Sequence, residues 1–383
     1  MSTAVSEAVA PAAELSADQL VITGWTALSP YGLDRAAFTA GLGSAASTAV
    51  DASQVTGTLP SPHACLVPGF DIKELLGKKG TGKLDRLSAL VMVASDQLLR
   101  DADGEVALET DELTGVVVGS SMGSLETITE GMRQSLTNAR PFYVDAGKIP
   151  VGTLNHAAGA CAIRHGLKGP NTTLGGGRVS GLLALNYARR LLGQGRASSY
   201  LCGSAEEFSA AHAWLEHVAV ERGEESPLLG EGCGMFLLEL AGRAQRPALA
   251  SVLAVESRVD IDDDPAAAVT ACVRQALDRA GVRAEEVWAA CPSAAPGRSG
   301  RAESAALDAL LPAEALDRVP TMAHIGDTSA AAASLQLAAV LAVAERDPAS
   351  AGRIALVTAV DRDGGVGCAV LRLLAPAANG GAA

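Results

Sequence analysis

Short apolar runs alternate with stretches of helical spacing along this chain, and the alternation starts again after residue 245. Before that point the strand-like runs include residues 20–24 (LVITG) and 115–119 (GVVVG), and after it they include residues 249–257 and 354–360. Strands that alternate with helices form layered domains, because each helix covers one face of a sheet. The pattern therefore predicts an α/β fold built from two halves.

Periodicity also assigns the individual elements. Runs rich in Val, Ile and Leu indicate buried strands, whereas apolar residues three or four positions apart indicate helices. Strands are predicted at residues 20–24, 115–119, 171–175, 200–203, 234–240, 249–257, 287–291, 354–360 and 367–374, and helices at residues 85–103, 125–136, about 178–192, 265–281, 302–311 and 329–345.

Composition narrows the classes of function. The 383 residues are 48% hydrophobic, which is enough for a large core, and the formal net charge of −13 disfavours binding to nucleic acid or to anionic membranes. Seven scattered cysteines lack CxxC spacing, so neither a metal site nor a cofactor is expected. The apolar stretch 330–343 is too short to span a bilayer, and a cytoplasmic location is expected. The expected division is a disordered tail (1–17), an N-terminal half (18–245), a C-terminal half (246–376) and a flexible tail (377–383).

Several motifs occur in the order typical of one enzyme family. They are VITGWTALSPYG at 21–32, GVVVGSSMGSL at 115–125, NHAAG at 155–159 followed by IRHGLKGPN at 163–171, GSAEE at 203–207 and GEGCG at 230–234. Together they resemble the β-ketoacyl synthases, and the resemblance covers about residues 20 to 374. It implies a thiolase-like fold, in which two pseudo-duplicated α/β halves form αβαβα layers.

The residues that carry the chemistry of that family are replaced here. Alignment on the Ser180-Gly-Leu turn places Arg178 at the nucleophilic cysteine. Counting back from Glu303 places Pro292 at the first histidine, and the segment TMAHIGD at 321–327 places Met322 at the lysine and Asp327 at the second histidine. A permanently protonated guanidinium cannot act as a nucleophile, and the proline and aspartate cannot stabilise a developing negative charge. Condensation by this chain alone is not expected, and Arg178 and Asp327 are predicted to form a buried ion pair.

This pattern of losses resembles the chain length factor, the ketosynthase-like subunit of type II polyketide synthases. The resemblance implies a heterodimer with an active ketosynthase, elongation of an acyl chain on the phosphopantetheine of an acyl carrier protein, and a tunnel whose length limits the product. Aromatic and reducing polyene pathways both stay open. Tunnel residues implied by the resemblance are Met122, Leu125, Ile128 and Met132, although such a helical stripe can equally be core, and interface residues are Leu154, Asn155 and His156.

Two other classes of function remain open on the sequence. One is an enzyme, either a malonyl-carrier protein decarboxylase or an altered acyltransferase; Arg178 replaces the Gln of common chain length factors and makes this role doubtful. The other is a homodimeric acyl-binding pseudoenzyme. His156 and His324 fit structural roles, because neither lies in a Ser/His/Asp or metal-ligand spacing. Glu206 and Glu207 are expected to form structural ion pairs, Ser180 is expected to be inert, and Asp363 falls where many ketosynthases hold a gating phenylalanine.

Overall fold

The structure, a computed structural model, describes residues 15–44, 46–53, 58–82, 84–100, 107–108, 110–220 and 227–374. The predicted tail 377–383 and most of the predicted tail 1–17 lie outside the described residues. None of the helices in these ranges is long and apolar enough to cross a membrane.

Strands and helices alternate as the sequence predicts. The strands are β1 (Leu20–Leu28), β2 (Val50–Asp51), β3 (His63–Ala64), β4 (Thr114–Gly119), β5 (Asn171–Leu174), β6 (Ser199–Glu206), β7 (Gly232–Leu240), β8 (Ala250–Val259), β9 (Val287–Cys291), β10 (Ile354–Val360) and β11 (Gly365–Leu373). The helices are α1 (Arg35–Gly41), α2 (Ile72–Leu76), α3 (Arg86–Leu99), α4 (Leu125–Thr137), α5 (His156–His165), α6 (Ser180–Gly193), α7 (Ala210–Ala219), α8 (Pro265–Ala280), α9 (Gly297–Leu310), α10 (Ala313–Asp317) and α11 (Ala332–Arg346).

The large sheet contains the same topology twice. Its order is β5-β4-β6-β7-β1-β8-β11-β10-β9. In the first half, β4 runs parallel to β6, and β6, β7 and β1 are successively antiparallel; in the second half, β9, β10, β11 and β8 repeat this order and these directions. The halves join where β1 pairs with β8, at Val21–Ser251 and Ile22–Ala250. The chain is therefore a duplicated α/β unit with β5 added at one edge.

Alternate residues of the strands face different layers, because side chains of a strand point in turn to opposite faces. In β4, Val117 belongs to the central core, where α6 and α11 pack. Its neighbours Val116 and Val118 pack on the opposite face against α3 and α5. In the second half, α8 and α9 cover the outer face. The two halves of the large sheet thus form two sheet layers, and the order of layers is helix, sheet, helix, sheet, helix. This order confirms the predicted fold class.

Several element boundaries differ from the sequence prediction. Helix α9 begins at Gly297 rather than residue 302, directly after Pro296, because a proline–glycine sequence masks a helix start in a periodicity pattern. Helices α5 and α7 were not predicted; both are ten residues long. The predicted helix 329–345 is a 3₁₀ turn at Ser329–Ala331 followed by α11. The division at residue 245/246 falls between β7 and β8 and stays a prediction.

Candidate functional site

The residue at the predicted nucleophile position lies in a tight turn between β5 and α6. Three consecutive glycines, residues 175–177, follow β5. The last of them begins a 3₁₀ turn, Gly177–Val179, that leads into α6. Gly177 has a φ of +54°, and a Cβ there would lie 2.0 Å from Oδ2 of Asp361, so the turn requires glycine. The turn carries Arg178 inward, where only 6% of the residue is exposed.

Asp327 faces this arginine from the segment that precedes α11. Its amide donates to the carbonyl of Leu228 at 2.8 Å, and its carbonyl accepts from the amide of Gly230 at 2.8 Å. These two bonds form a bridge of parallel type between the segments. The preceding residue, Gly326, has a φ of +71° and lies against the same segment. The backbone therefore fixes the position of the Asp327 carboxylate.

Arg178 and Asp327 form the bidentate ion pair that the sequence predicts. Nε of Arg178 donates to Oδ1 of Asp327 at 3.1 Å, and Nη2 donates to Oδ2. Both side chains are only 7% exposed. Burial acts to lower the pKa of Arg178, but the negative charges of Asp327 and Asp361 outweigh it and raise that pKa. The guanidinium is therefore permanently charged, and this prediction is confirmed.

Asp361 is a third member of the site that sequence reasoning missed. Its Oδ2 accepts the backbone amide of Arg178 at 2.9 Å and lies 3.8 Å from Nη1 of the same residue. It directly follows β10, so an acidic residue at the end of a buried strand was the available signal. The two aspartates surround one arginine and leave no neutral base or nucleophile in the turn.

The other two altered positions, Pro292 and Met322, do not take part in the hydrogen bonds around Arg178. Pro292 directly follows β9 and is half-buried; Met322 packs against the central core. Within the described residues, neither makes a hydrogen bond to Arg178 or Asp327. The next residue after Pro292, Ser293, binds the buried Glu303 through its amide at 3.1 Å and through its hydroxyl. Burial raises the pKa of Glu303, whose contacts are thus structural.

The cysteines and Ser180 are the residues that a search for a replacement nucleophile would select first. All seven cysteines are free and buried, and burial raises the pKa of Cys291 to about 12. Ser180 donates its hydroxyl to the carbonyl of Gly177 at 2.7 Å, which is a local capping contact. No group of His, Cys, Asp and Glu in the described ranges could hold a metal ion. The arrangement stabilises a turn and offers no acid, base or nucleophile to a substrate.

A cavity of about 580 Å³ adjoins the ion pair. Arg362 binds Glu216 through two hydrogen bonds of 2.7 Å, and Arg298 binds Asp263. Acidic groups outnumber the arginines in this cavity, so its charge disfavours an anionic thioester or phosphate. Its lining includes Arg178, Glu216, Asp260, Asp263, Asp361 and Asp363.

The predicted tunnel residues lie on or beside a helix that this chain alone does not cover. None of the residues of α4 is buried. Met122, Leu125 and Ile128 are half-buried, whereas Met132 is 62% exposed. Ile128 also lines a cavity of about 230 Å³ between α4 and the 3₁₀ turn Ala146–Lys148. The stripe is thus not a core stripe within this chain.

The predicted interface residues lie on an apolar surface beside the edge strand β5. Leu154 is 37% exposed and Asn155 is exposed, while Nε2 of the half-buried His156 has no hydrogen-bond partner in the described part of the chain. Asn155 and His156 line a cavity of about 590 Å³. Ile149 and Ile163 are 61% and 86% exposed. Exposed apolar residues that lie close together are typical of interaction surfaces.

Glu206 and Glu207 are structural, but the predicted ion pairs are wrong. Oε2 of Glu206 accepts the amide of Ser121 at 3.0 Å, and Oε2 of Glu207 accepts the amide of Leu87 at 3.0 Å. No arginine or lysine of the described residues pairs with either one. Backbone amides can take the place of a cation as hydrogen-bond donors to a buried carboxyl group, and a sequence does not show which amides fold beside it.

Residues 17–244 match the family model for the β-ketoacyl synthase, N-terminal domain. The match spans more than half of the sequence, and the chain belongs to the β-ketoacyl synthase family. It is 69% identical to the solved structure of the ishigamide ketosynthase/chain length factor, with a TM-score of 0.91 over 93% of this chain and 99% of that chain.

More distant proteins share the fold. The 3-oxoacyl-[acyl-carrier-protein] synthase 2 of Vibrio cholerae serotype O1 is 30% identical over 243 residues, which are 59% of this chain and 58% of that protein. The chain thus spans about 58% of the length of the first curated relatives it matches. The structure of AntDE:AntF, a type II PKS acyl-carrier protein in complex with its ketosynthase bound to the hexaketide, matches with a TM-score of 0.76 at 16% identity over 93% of this chain and 100% of that chain. The last similarity concerns the fold alone.

Proposed function

We propose that this protein is a non-catalytic chain length factor, which pairs with an active ketosynthase and shapes the tunnel that holds its growing acyl chain. The observation that carries the proposal is the buried Arg178–Asp327 pair, because it occupies the positions that the family resemblance assigns to the nucleophile and the second histidine. The 69% identity to a protein named a ketosynthase/chain length factor supports the same function. The substrate is then an acyl chain carried on an acyl carrier protein, in the cytoplasm.

The partner surface in this proposal consists of residues 148–159 together with β5. An edge strand exposes unpaired amides and carbonyls, and a second protein can pair with it. Beside β5, Leu154, Ile149 and Ile163 offer apolar area that is costly to leave in water. An obligate interface of this kind buries about 2,000 Å² or more.

In the same proposal, α4 limits the length of the product. Its apolar residues Leu125, Ile128 and Met132 lie on one face, at a spacing of three and four, and the part of the chain that the structure describes does not bury them fully. A partner that covers this face would enclose an apolar channel next to its own active site. The bulk of Met132, the most exposed of the three, would then set where the channel ends.

Native mass spectrometry tests the proposal. The chain is co-expressed with a ketosynthase that has an intact cysteine and two histidines, and it is also purified alone. A one-to-one heterodimer is the expected species. A homodimer that ignores the ketosynthase would instead support an acyl-binding pseudoenzyme. Release of CO₂ from malonyl-carrier protein by the isolated chain would support a decarboxylase and contradict the proposal.

A further inference from the structure

The altered active site is connected to the start of α4 through two serines. Asp327 binds Arg178 and, through Oδ1, also accepts the amide of Ser329 at 3.0 Å. The hydroxyl of Ser329 lies 3.0 Å from the hydroxyl of Ser121, in the loop that precedes α4. A hydrogen-bonded path thus leads from the ion pair to the helix.

The backbone of Ser329 is held in an unfavourable conformation. Its φ is +45°, which is uncommon for a residue with a side chain. Such a conformation costs free energy of its own and persists only where surrounding contacts fix it. Here the amide and the hydroxyl of one residue each have a partner, Asp327 on one side and Ser121 on the other. This backbone conformation places the Ser329 amide against Asp327 and the Ser329 hydroxyl against Ser121.

A buried carboxyl group also contacts the loop before α4. Glu206 accepts the amide of Ser121 at 3.0 Å. Burial raises the pKa of Glu206, and the nearby groups of Ser121 and Ala330 act to lower it. The loop before α4 is therefore held by this acceptor as well as by the contact between the serine hydroxyls.

The start of α4 lacks a side-chain cap, as do the starts of α5, α6, α9, α10 and α11. The N-cap residue of α4, Ser124, makes no side-chain hydrogen bond to the backbone of the first turn. The Ser124 hydroxyl instead contacts the Thr127 hydroxyl at 2.7 Å and Glu207. An N-terminus without such a cap has unpaired amides that leave its first turn weak. The position of the first turn is then set by Ser121 and its partners.

We infer that Ser329 is a positioning residue, which holds the loop at the start of α4 in register with the Arg178–Asp327 pair. The Arg178–Asp327 pair then does more than fill the altered site, since it also fixes the helix that carries Leu125, Ile128 and Met132. The consequence for product length rests on the proposed function, whereas the positioning itself does not.

Hydrogen exchange of the full-length chain tests the positioning directly. Ser121→Ala and Ser329→Ala each delete one hydroxyl and leave the ion pair intact. The amides of Leu125 and Ile128 should exchange about fivefold faster in each variant, the size expected for loss of one neutral hydrogen bond. The double variant should exchange no faster than either single variant, because both remove the same contact.

Two further variants make the test specific. Ser121→Thr keeps the hydroxyl and should retain the exchange rates of the original protein. Thr129→Ala removes a hydroxyl that binds the Leu125 carbonyl within α4, and it should leave the amides of the loop 121–123 unchanged. Unchanged exchange in Ser121→Ala, or additive effects in the double variant, would overturn the inference.

Product lengths separate this inference from the proposed function. With the ketosynthase present, Ser121→Ala should broaden the distribution of product lengths while the amount of heterodimer is unchanged. If Met132 variants alter product length but Ser121→Ala changes neither exchange nor products, the inference fails and the function stands. If exchange changes but Met132 variants leave products unaltered, the tunnel role fails and the positioning stands.

Discussion

At the scale of single residues, one arginine and two aspartates replace the chemistry of the family. A lone buried arginine or aspartate would cost several kcal/mol, whereas a bidentate pair offsets much of both costs. The dipole of α6 adds to this requirement, because the N-terminus of a helix is the positive end and disfavours a cation. Arg178 therefore needs the carboxylates that surround it.

Removal of one member of the pair should destabilise the chain. We expect Arg178→Met to lower the free energy of unfolding by about 3–5 kcal/mol, because Asp327 stays buried without a cation. Asp327→Leu should cost less than Arg178→Met, since Asp361 remains 3.8 Å from the guanidinium. The combined variant should cost less than Arg178→Met without being neutral, because Asp361 stays buried without the guanidinium. Urea unfolding measures all three.

A surface pair provides the control for these variants. Arg133 is 61% exposed and pairs with Glu130 within α4, so Arg133→Ala should cost less than about 1 kcal/mol. Equal losses for Arg133→Ala and Arg178→Met would contradict the account of a buried, coupled pair.

Glu207 should make the stability of the chain depend on pH. Burial, followed by the charge of Asp85, raises its pKa to about 8, from about 4.3 in an unfolded chain. Because the folded-state pKa is the higher one, this contribution is complete below about pH 4.3 and is lost as the pH rises through 8. Glu207→Gln should therefore lose less stability than the original protein between pH 6 and pH 9. Glu130→Gln, at an exposed position, should not change that loss in urea unfolding.

At the scale of elements, exposed large apolar residues lie on α4, in the segment 148–159, near the end of α5 and on α7. Leu154→Arg should weaken the heterodimer by more than about a hundredfold, because assembly would bury an unpaired guanidinium. Analytical ultracentrifugation or native mass spectrometry measures the affinity. Ile261→Arg, at a position that is 86% exposed on another surface, is the control. Unchanged affinity in the Leu154 variant would show that the interface lies elsewhere.

Substitutions in α4 should change product length in a graded way. Met132→Ala opens space equivalent to a few methylene groups and should lengthen the products, whereas Met132→Trp should shorten them. Liquid chromatography of products from the assembled complex measures both. A distribution that stays the same in both assembled variants would exclude α4 as the end of the tunnel.

The secondary-structure elements also show which parts of the fold can be predicted from the sequence. Strong apolar runs such as β4 and β10 were predicted within one residue, because β-branched side chains at a buried position have few alternatives. Helix α7 was missed although Ser209 caps it, and the start of α9 was hidden by Pro296 and Gly297. Hydrophobic periodicity does not predict helix boundaries where proline or glycine begins the helix or where the helix is short.

Within the site, the Arg178–Asp327 pair could be predicted because family motifs place both residues on opposite sides of one pocket. Asp361 and the Ser121–Ser329 contact could not, because the residues in contact are distant in sequence and no motif pairs them. Glu207 illustrates the same limit, since its partner is a backbone amide at Leu87. Contacts that depend on how the two halves pack require the three-dimensional structure.

At the scale of the whole molecule, the duplicated fold explains how the altered site is held together. The two halves repeat one strand order, and α6 and α11 pack together between them. Arg178 lies at the start of α6 and Asp327 lies before α11, so their ion pair joins the two halves at the centre of the chain. The altered residues therefore still connect the two halves that carry β5 and α4.

Intact-protein mass spectrometry during turnover tests the central claim, that this chain supports condensation without taking part in its chemistry. The assembled complex is incubated with malonyl- and acyl-carrier protein and quenched before completion. The account predicts acyl adducts on the ketosynthase and none on this chain. An acyl adduct on this chain would contradict the account.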